Sequence, residues 1–155
     1  MMYELHSRFL CELTATLDNV PVGPTPEGTR ILAYVTGGSV TGERLSGRLL
    51  PGGGDFALIM ADGCLHIDVR ACLETDDGAR IYTTYGGRLY VPPEAAAVMT
   101  DPAARTRIDP TAYYFRTAPL FQTAAESWSW LNRVLCVGVG RLTPEGVAYR
   151  IHEIL

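Results

Sequence analysis

The sequence predicts an all-β fold, a single antiparallel β-barrel, and three observations lead to this expectation. Short runs rich in β-branched and aromatic residues are separated by clusters of glycine, proline and aspartate, at intervals typical of β-domains. No segment is long enough to form a helix that covers a sheet, so the strands must bury their apolar faces against one another in a barrel or a sandwich. The barrel is favoured because closure removes exposed strand edges.

Nine strands are predicted, in a chain that we interpret as one domain over residues 1–155. In order they cover residues 5–17, 30–36, 40–50, 55–60, 64–75, 79–85, 113–117, 130–142 and 147–154. Tight hairpins are expected where Asp or Glu precedes a glycine that can take a positive φ, at 61–63, 76–78 and 144–146. The glycine pairs at 37–38 and 86–87 predict bulges or bends. Only the connection over 92–110, which begins with two prolines, predicts helix, as one or two short pieces.

The basic residues exclude several kinds of chemistry. All 13 of them are arginine, so Schiff-base catalysis, pyridoxal phosphate attachment and a P-loop lysine are ruled out. Arginine can hold a carboxylate or an enolate, but it cannot exchange protons near neutral pH. Proton transfer would therefore depend on carboxylates, histidines, tyrosines or thiols.

Charge and hydropathy restrict the partners and the location. The net charge of −4 is spread without charged runs, which argues against a nucleic-acid partner. The apolar runs are far shorter than a membrane span, and Glu4 and Glu12 interrupt the segment that would be a signal peptide. These observations predict a cytoplasmic protein with no membrane partner. The three histidines lack metal-ligand spacing, and we expect no metal and no cofactor.

The strand over 64–75 alternates between an apolar and a polar face. One face carries Leu65, Ile67, Val69, Ala71 and Leu73, and the other carries His66, Asp68, Arg70, Cys72 and Glu74. Two interpretations stay open. The apolar face packs in the core above a solvated polar ladder, or the polar face lines a cavity in which each arginine must be paired.

Candidate site residues come from two further strands and one loop. Tyr114 and Arg116 share a face, as do Trp130 and Asn132, and aromatic area with a few polar groups suits a small-molecule pocket. Ordinary packing is the alternative for the tryptophan strand. Three glycines precede Asp55, whose carboxylate could act as a general base in a pocket or could simply follow a structural turn.

Five blocks of the sequence resemble a known family. In order they are TGGSVTGERLSGRLLPGGGDF, ADG, DVRACLETDDGARIY, YYFRTAPLFQT and WLNRVLCVGVGR, and the succession is similar to the small bacterial family called domain of unknown function 3237. The resemblance extends from about Phe9 to His152. It implies a barrel of calycin-like or allene-oxide-cyclase-like shape, without an assigned activity. Gln122 stands where the family pattern has a glutamate, so no catalytic role is carried over to that position.

The residues and the resemblance together predict a cofactor-free enzyme that cyclises, isomerises or dehydrates a polyketide-like or aromatic small molecule. The catalytic candidates are Asp55, Arg70, Arg116 and Tyr114. The candidates for substrate binding are Trp130, Asn132, Phe121, Tyr34 and Tyr82. A barrel that binds a small apolar ligand without chemistry is one alternative, and a structural subunit without a usable pocket is another. A homodimer is compatible with all three hypotheses.

Overall fold

Ten antiparallel strands form the computed structural model, which describes residues 3–155 and confirms the predicted all-β barrel. The strands are β1 (Ser7–Thr25), β2 (Gly28–Thr41), β3 (Gly47–Leu49), β4 (Gly54–Ile59), β5 (Leu65–Thr75), β6 (Arg80–Tyr90), β7 (Tyr114–Thr117), β8 (Leu120–Gln122), β9 (Cys136–Thr143) and β10 (Gly146–Ile154).

Hydrogen bonding closes the sheet into a ring of eight positions. The order is β1, β2, β4, β5, β6, β7, β9 and β10, which pairs back with β1. Strand β3 pairs with β2 and β5 and so extends the position of β4, while β8 pairs with β6 beyond the end of β7. Closure leaves most strands without a free edge.

The first two strands are longer than the sequence predicts. β1 continues to Thr25 rather than ending near residue 17, and its last part pairs only with β2. Pro21 and Pro24 lie in this edge segment, where a missing N–H costs no ladder hydrogen bond. β2 is continuous through the glycine pair, because the register shift beside Gly37 is absorbed as a bulge.

The predicted strand over residues 130–142 is wrong in its first part. A 3₁₀ helix covers Glu126–Arg133, and the strand begins only at Cys136. Side chains three residues apart share a face in a 3₁₀ helix, so Trp128 and Leu131 point the same way and Leu131 is fully buried. The alternation that suggested a strand therefore does not describe this segment.

The connection between β6 and β7 is helical, as the sequence predicts. It contains the 3₁₀ helix Pro93–Ala95, the short α-helix α1 (Ala97–Thr100), and the 3₁₀ helices Pro102–Thr106 and Pro110–Ala112. Asp101 accepts a hydrogen bond from the Ala103 amide and thereby begins the second 3₁₀ helix. Within residues 3–155, no helix is long and apolar enough to cross a membrane.

The two ends of the barrel are packed differently. At the closed end, near the β5–β6 turn, the interior is filled by side chains that are almost completely buried: Leu10, Leu13, Leu45, Leu49, Leu73, Ile81, Leu131 and Ile151. The other end, near the β9–β10 turn, is the open end. It is partly covered by residues 97–106. The apolar face of β5 points into the core and its polar face points outward, which is the first of the two interpretations given above.

Candidate functional site

A cavity of about 400 Å³ occupies the open end of the barrel interior. Its walls are apolar and come from most of the ring: Ala15, Leu17, Ile31, Ala33, Val35, Ala57, Leu65, Ile67, Val69, Leu89, Phe115, Leu142 and Val147. Exposed residues of the α1 region and of the β9–β10 turn form its mouth. Few polar side chains interrupt this surface, namely Asn19, Asp55, Tyr85, Thr100, Arg105, Glu145 and Tyr149.

Asp55 is a carboxylate in the wall of this cavity. The strand register places it in one inward-facing row with Ala33, Val69 and Tyr85. Backbone pairing between β4 and β5 is interrupted just beyond it, and the free Asp68 amide donates to Asp55 Oδ1 at 2.8 Å. Burial raises the pKa of the carboxyl from 3.8 to about 6, although this hydrogen bond lowers it. Asp55 therefore changes its charge close to neutral pH.

Two tyrosines lie near Asp55 at the bottom of the cavity. The rings of Tyr85 and Tyr149 meet edge to face with centroids 5.5 Å apart, and Phe115 packs against Tyr149 at 5.3 Å. Burial raises the pKa of both phenols, and the nearby charge of Asp55 raises it further. Both hydroxyls stay protonated at neutral pH. They also hydrogen-bond to each other, so one of the two O–H groups is left to donate to a ligand.

Glycines on β9 make room for this aromatic cluster. Gly138 and Gly140 face inward, and a methyl group at Gly140 would lie only 2.6 Å from the Phe115 ring. A side chain at Gly140 would displace the Phe115 ring, and one at Gly138 would collide with the hydroxyl of Thr117 on β7. The two glycines therefore help to determine the shape of the cavity floor.

Arg105 is the one basic side chain that lines the cavity within residues 3–155. Its Nε donates to the Val98 carbonyl at 2.7 Å, and one Nη donates to the Thr143 carbonyl at 2.8 Å. These bonds tie the helical connection to the end of β9. Desolvation lowers the pKa of the guanidinium. Glu145, on the exposed β9–β10 turn, lines the mouth as well.

Of the four predicted catalytic residues, only Asp55 lines the cavity. Arg70 is on the outer face of β5, more than half exposed, and pairs with Asp68 at 3.4 Å. Tyr114 and Arg116 are on the outer face of β7, where the guanidinium stacks on the phenol ring at 5.0 Å. These three side chains therefore do not join Asp55 in the cavity, because β5 and β7 point their polar faces outward.

The five predicted binding residues also lie outside the cavity. Phe121 is buried in the core, and Tyr34 and Tyr82 are each 42% exposed on the outer surface. Tyr82 and Asn132 line one shallow surface groove, so these two do come together. The Arg44 guanidinium stacks over Trp130, with its Cζ 5.0 Å from the centroid of the indole ring.

Asn132 has a structural position in the loop that follows β8. Its Oδ1 accepts from the Thr123 amide at 2.8 Å, and its Nδ2 donates to the Thr123 carbonyl at 3.0 Å. The side chain thus satisfies both backbone groups of one residue, as the ordinary-packing alternative for this segment supposes.

Replacement of Asn132 by alanine is expected to lower the free energy of unfolding by about 1–2 kcal/mol, since two hydrogen bonds to backbone groups are lost. Urea denaturation measures this change. The neighbouring exposed Arg133→Ala is the matched control and should change stability by less than about 0.5 kcal/mol. A loss of ligand binding without a loss of stability in Asn132→Ala would contradict the structural role.

Tyr85, Tyr149 and Arg105 were not identified from the sequence. Tyr149 shares a strand face with Val147 and Ile151 in a segment that the sequence predicts as a strand. Its position on this apolar face could therefore have been predicted from the alternation. Tyr85 ended a predicted strand whose facing was undetermined. No local pattern indicates that Arg105, in a short helix, reaches the cavity. In the described part of the chain, no three His, Cys, Asp or Glu side chains cluster as a metal site.

Comparisons with known proteins agree with this architecture. The family model described as Protein of unknown function (DUF3237) matches residues 5–154. A conserved protein of unknown function from Rhodopseudomonas palustris is 31% identical over 152 residues, or 97% of each chain. Its crystal structure matches with a TM-score of 0.90 over 98% of this chain and 99% of that one.

Two further crystal structures share the fold. A β-barrel-like protein from Acinetobacter baumannii matches with a TM-score of 0.83 and 29% identity, over 98% of this chain and 97% of that chain. A protein described as an enzyme, from Penicillium herquei, matches with a TM-score of 0.71 and 21% identity, over 97% and 95% of the two chains. The match of the family model to nearly the whole sequence shows that the chain belongs to the DUF3237 family.

Proposed function

We propose that the protein is a cofactor-independent enzyme that moves a proton on a small aromatic or polyketide-like molecule, and so cyclises, isomerises or dehydrates it inside the barrel. One observation carries this proposal: a carboxyl group that titrates near neutral pH faces an apolar cavity next to two protonated phenols. Perturbed carboxyls in clefts are typical of general acids and bases.

Asp55 is the proton-transferring group in this proposal. A pKa of about 6 leaves most of the carboxyl ionised at neutral pH, yet keeps it a stronger base than an exposed aspartate. The carboxyl group is partly buried and faces the apolar wall of the cavity. Its hydrogen bond from the Asp68 amide fixes the orientation of the carboxylate toward the cavity.

Tyr85 and Tyr149 supply the complementary function. When a proton leaves a carbon next to a carbonyl, negative charge develops on the carbonyl oxygen, and hydrogen-bond donors fixed at that point lower the barrier. The packing of Tyr149 between Tyr85 and Phe115 holds its hydroxyl in place before the substrate arrives. Arg70, Arg116 and Tyr114 have no part in this scheme.

Fold likeness adds limited support. The Penicillium herquei protein is described as an enzyme, and its barrel resembles this one at 21% identity. That likeness makes catalysis in such a barrel reasonable for this chain, but it says nothing of the reaction, because one fold hosts many functions. The reaction class proposed above rests on the cavity residues.

The test uses bicyclic aromatic β-dicarbonyl compounds and enones, incubated with the protein in D₂O and analysed by mass spectrometry. The wild-type protein is expected to speed deuterium incorporation or conversion, with a rate that rises as pH increases through about 6. Asp55→Asn should lower this rate by at least ~100-fold. The matched control is Asp68→Asn, whose exposed side chain lies outside the cavity. Because the Asp68 charge is the smallest of the causes that act on the Asp55 pKa, the control is read at pH 8, where Asp55 is ionised and the rate should stay within about twofold.

A non-catalytic ligand-binding barrel is the second candidate, and the predominantly apolar wall of the cavity favours it. It predicts that compounds bind and are recovered without deuterium and without change of mass. It also predicts that Asp55→Asn binds at least as well as the wild type, since a desolvated charge is removed from the wall. Equal rates for wild type and Asp55→Asn would therefore exclude the enzymatic proposal.

A further inference from the structure

Arg105 has an unusual environment for an arginine of this protein. Most arginines outside the cavity pair with a carboxylate, as Arg48 and Arg80 both do with Glu74. Arg105 is partly buried, and within residues 3–155 no carboxylate forms an ion pair with it. Removing a cation from water without an anionic partner is unfavourable.

The hydrogen bonds of Arg105 leave part of its guanidinium unused. Its two bonds go to the backbone carbonyls of Val98 and Thr143, and the planar group carries five N–H donors. The bonds fix the plane of the guanidinium, so the remaining donors are held in position before any ligand binds. Such a fork matches the two oxygens of a carboxylate.

Arg105 and Asp55 lie at different depths of the cavity. Asp55 is four residues, roughly 13 Å of strand, from the end of β4 at Ile59 on the open side. Arg105 belongs to the helical connection that partly covers that open side, and both residues line the same cavity. A ligand that contacts both must place an acidic group near the mouth and its apolar body deeper in the barrel.

We propose that the ligand of this cavity is an organic anion, with a compact apolar body and a carboxylate or similarly acidic oxygen that binds Arg105. The inference rests on the proposed function for the use of this cavity, and it adds the chemical class of the substrate. Glu145 is the other charged group at the mouth. It is exposed on the β9–β10 turn, so solvent screens its repulsion of an anion.

Two dyes that differ only in charge test this inference. Anilinonaphthalene sulfonate is anionic, and N-phenylnaphthylamine has the same rings without the sulfonate. Fluorescence titration of the full chain gives both dissociation constants. Arg105→Gln is expected to weaken binding of the anionic dye by about 10- to 100-fold, as for the loss of a charge-assisted hydrogen bond, and to change the neutral dye by less than about twofold. Arg105→Lys keeps the charge but loses the planar fork, and should retain only part of the preference.

Controls separate this site from other surfaces and from catalysis. Ala57→Phe fills the cavity and should abolish binding of both dyes, while Arg88→Gln removes an exposed arginine on the outer face of β6 and should change neither. Asp55→Asn should keep the Arg105-dependent preference even where turnover is lost. Retention of the anionic preference in Arg105→Gln, together with the expected loss of turnover in Asp55→Asn, would overturn only this inference. Loss of the preference in Arg105→Gln, together with unchanged turnover in Asp55→Asn, would overturn only the proposed function.

Three results would overturn the inference. The first is an equal weakening of both dyes by Arg105→Gln, which indicates a structural clamp between the helical connection and β9. The second is an unchanged anionic preference in Arg105→Gln. The third needs no variant: the neutral dye binds the wild-type protein more than tenfold tighter than the anionic dye.

Discussion

Asp55→Asn is expected to raise the free energy of unfolding by about 2–3 kcal/mol at pH 8, although the same substitution should remove activity. The folded state holds the proton of Asp55 more tightly than the unfolded chain does, because burial raises the pKa from 3.8 to about 6. A hundredfold difference in proton affinity corresponds to about 2.7 kcal/mol. Asparagine carries no charge and avoids this cost.

The size of the stabilisation by Asp55→Asn depends on pH. Below pH 3.8 the carboxyl is neutral in both states, and the folded protein carries no penalty. Between pH 3.8 and about 6 the unfolded chain is ionised while the folded protein is still largely protonated, so the penalty on folding grows. Above about pH 6 both states are ionised and the penalty reaches its full value. The stabilisation by Asp55→Asn should therefore shrink to about 0.5 kcal/mol at pH 4.

Urea denaturation of wild type and variant at the two pH values measures both effects. Asp68→Asn is the matched control, since its exposed ion pair with Arg70 should contribute less than about 1 kcal/mol at either pH. A destabilised Asp55→Asn at pH 8 would mean that the carboxylate charge is compensated in the fold, and Asp55 would then have a structural role in place of the catalytic one.

Gly53→Ala is expected to lower the free energy of unfolding by about 3–4 kcal/mol. Gly53 has a φ of +70°, where an alanine costs about 1 kcal/mol, and a methyl group there would overlap the backbone carbonyl of Arg70 on β5. Its own carbonyl accepts from the Val35 amide at 3.2 Å. The turn cannot move without opening the wall between β2 and β5.

Gly52 is the matched control for this substitution. It has a φ of +102°, and a methyl group there would meet nothing within 4 Å. Gly52→Ala should therefore cost only the conformational strain, about 1–2 kcal/mol. Thermal and urea denaturation compare the two variants. Equal effects would show that backbone strain alone, and not the close approach to β5, explains the need for glycine.

The barrel was predictable because its strands carry a clear period-two pattern. In β5 the alternation assigns Ile67 and Val69 to one face and Arg70 to the other, and the structure shows that the apolar face is the inward one. The short 3₁₀ helix with two tryptophans was not predictable in the same way, because residues two apart look like one strand face. The segment forms a helix that buries Leu131 at the closed end of the barrel. That burial depends on contacts with residues far away in the sequence, which a local pattern does not show.

The candidate site was predictable only in part. Asp55 could be found because three glycines before a carboxylate mark a close backbone approach. Arg105 could not be identified in the same way. Residue type suggests that a cation lines the cavity, but which of the 13 arginines does so depends on barrel closure and strand register. Polar side chains on the outer faces of β5 and β7 carry the same alternation as side chains that line a cavity.

The different packing of the two barrel ends has a consequence for how this protein can change. The closed end holds most of the large fully buried side chains, so the register of the strands is maintained far from the ligand. The exposed residues at the mouth of the cavity can accept substitutions at small cost to folding, whereas the buried wall belongs to the hydrophobic core. Related barrels can therefore acquire different ligands while preserving one backbone.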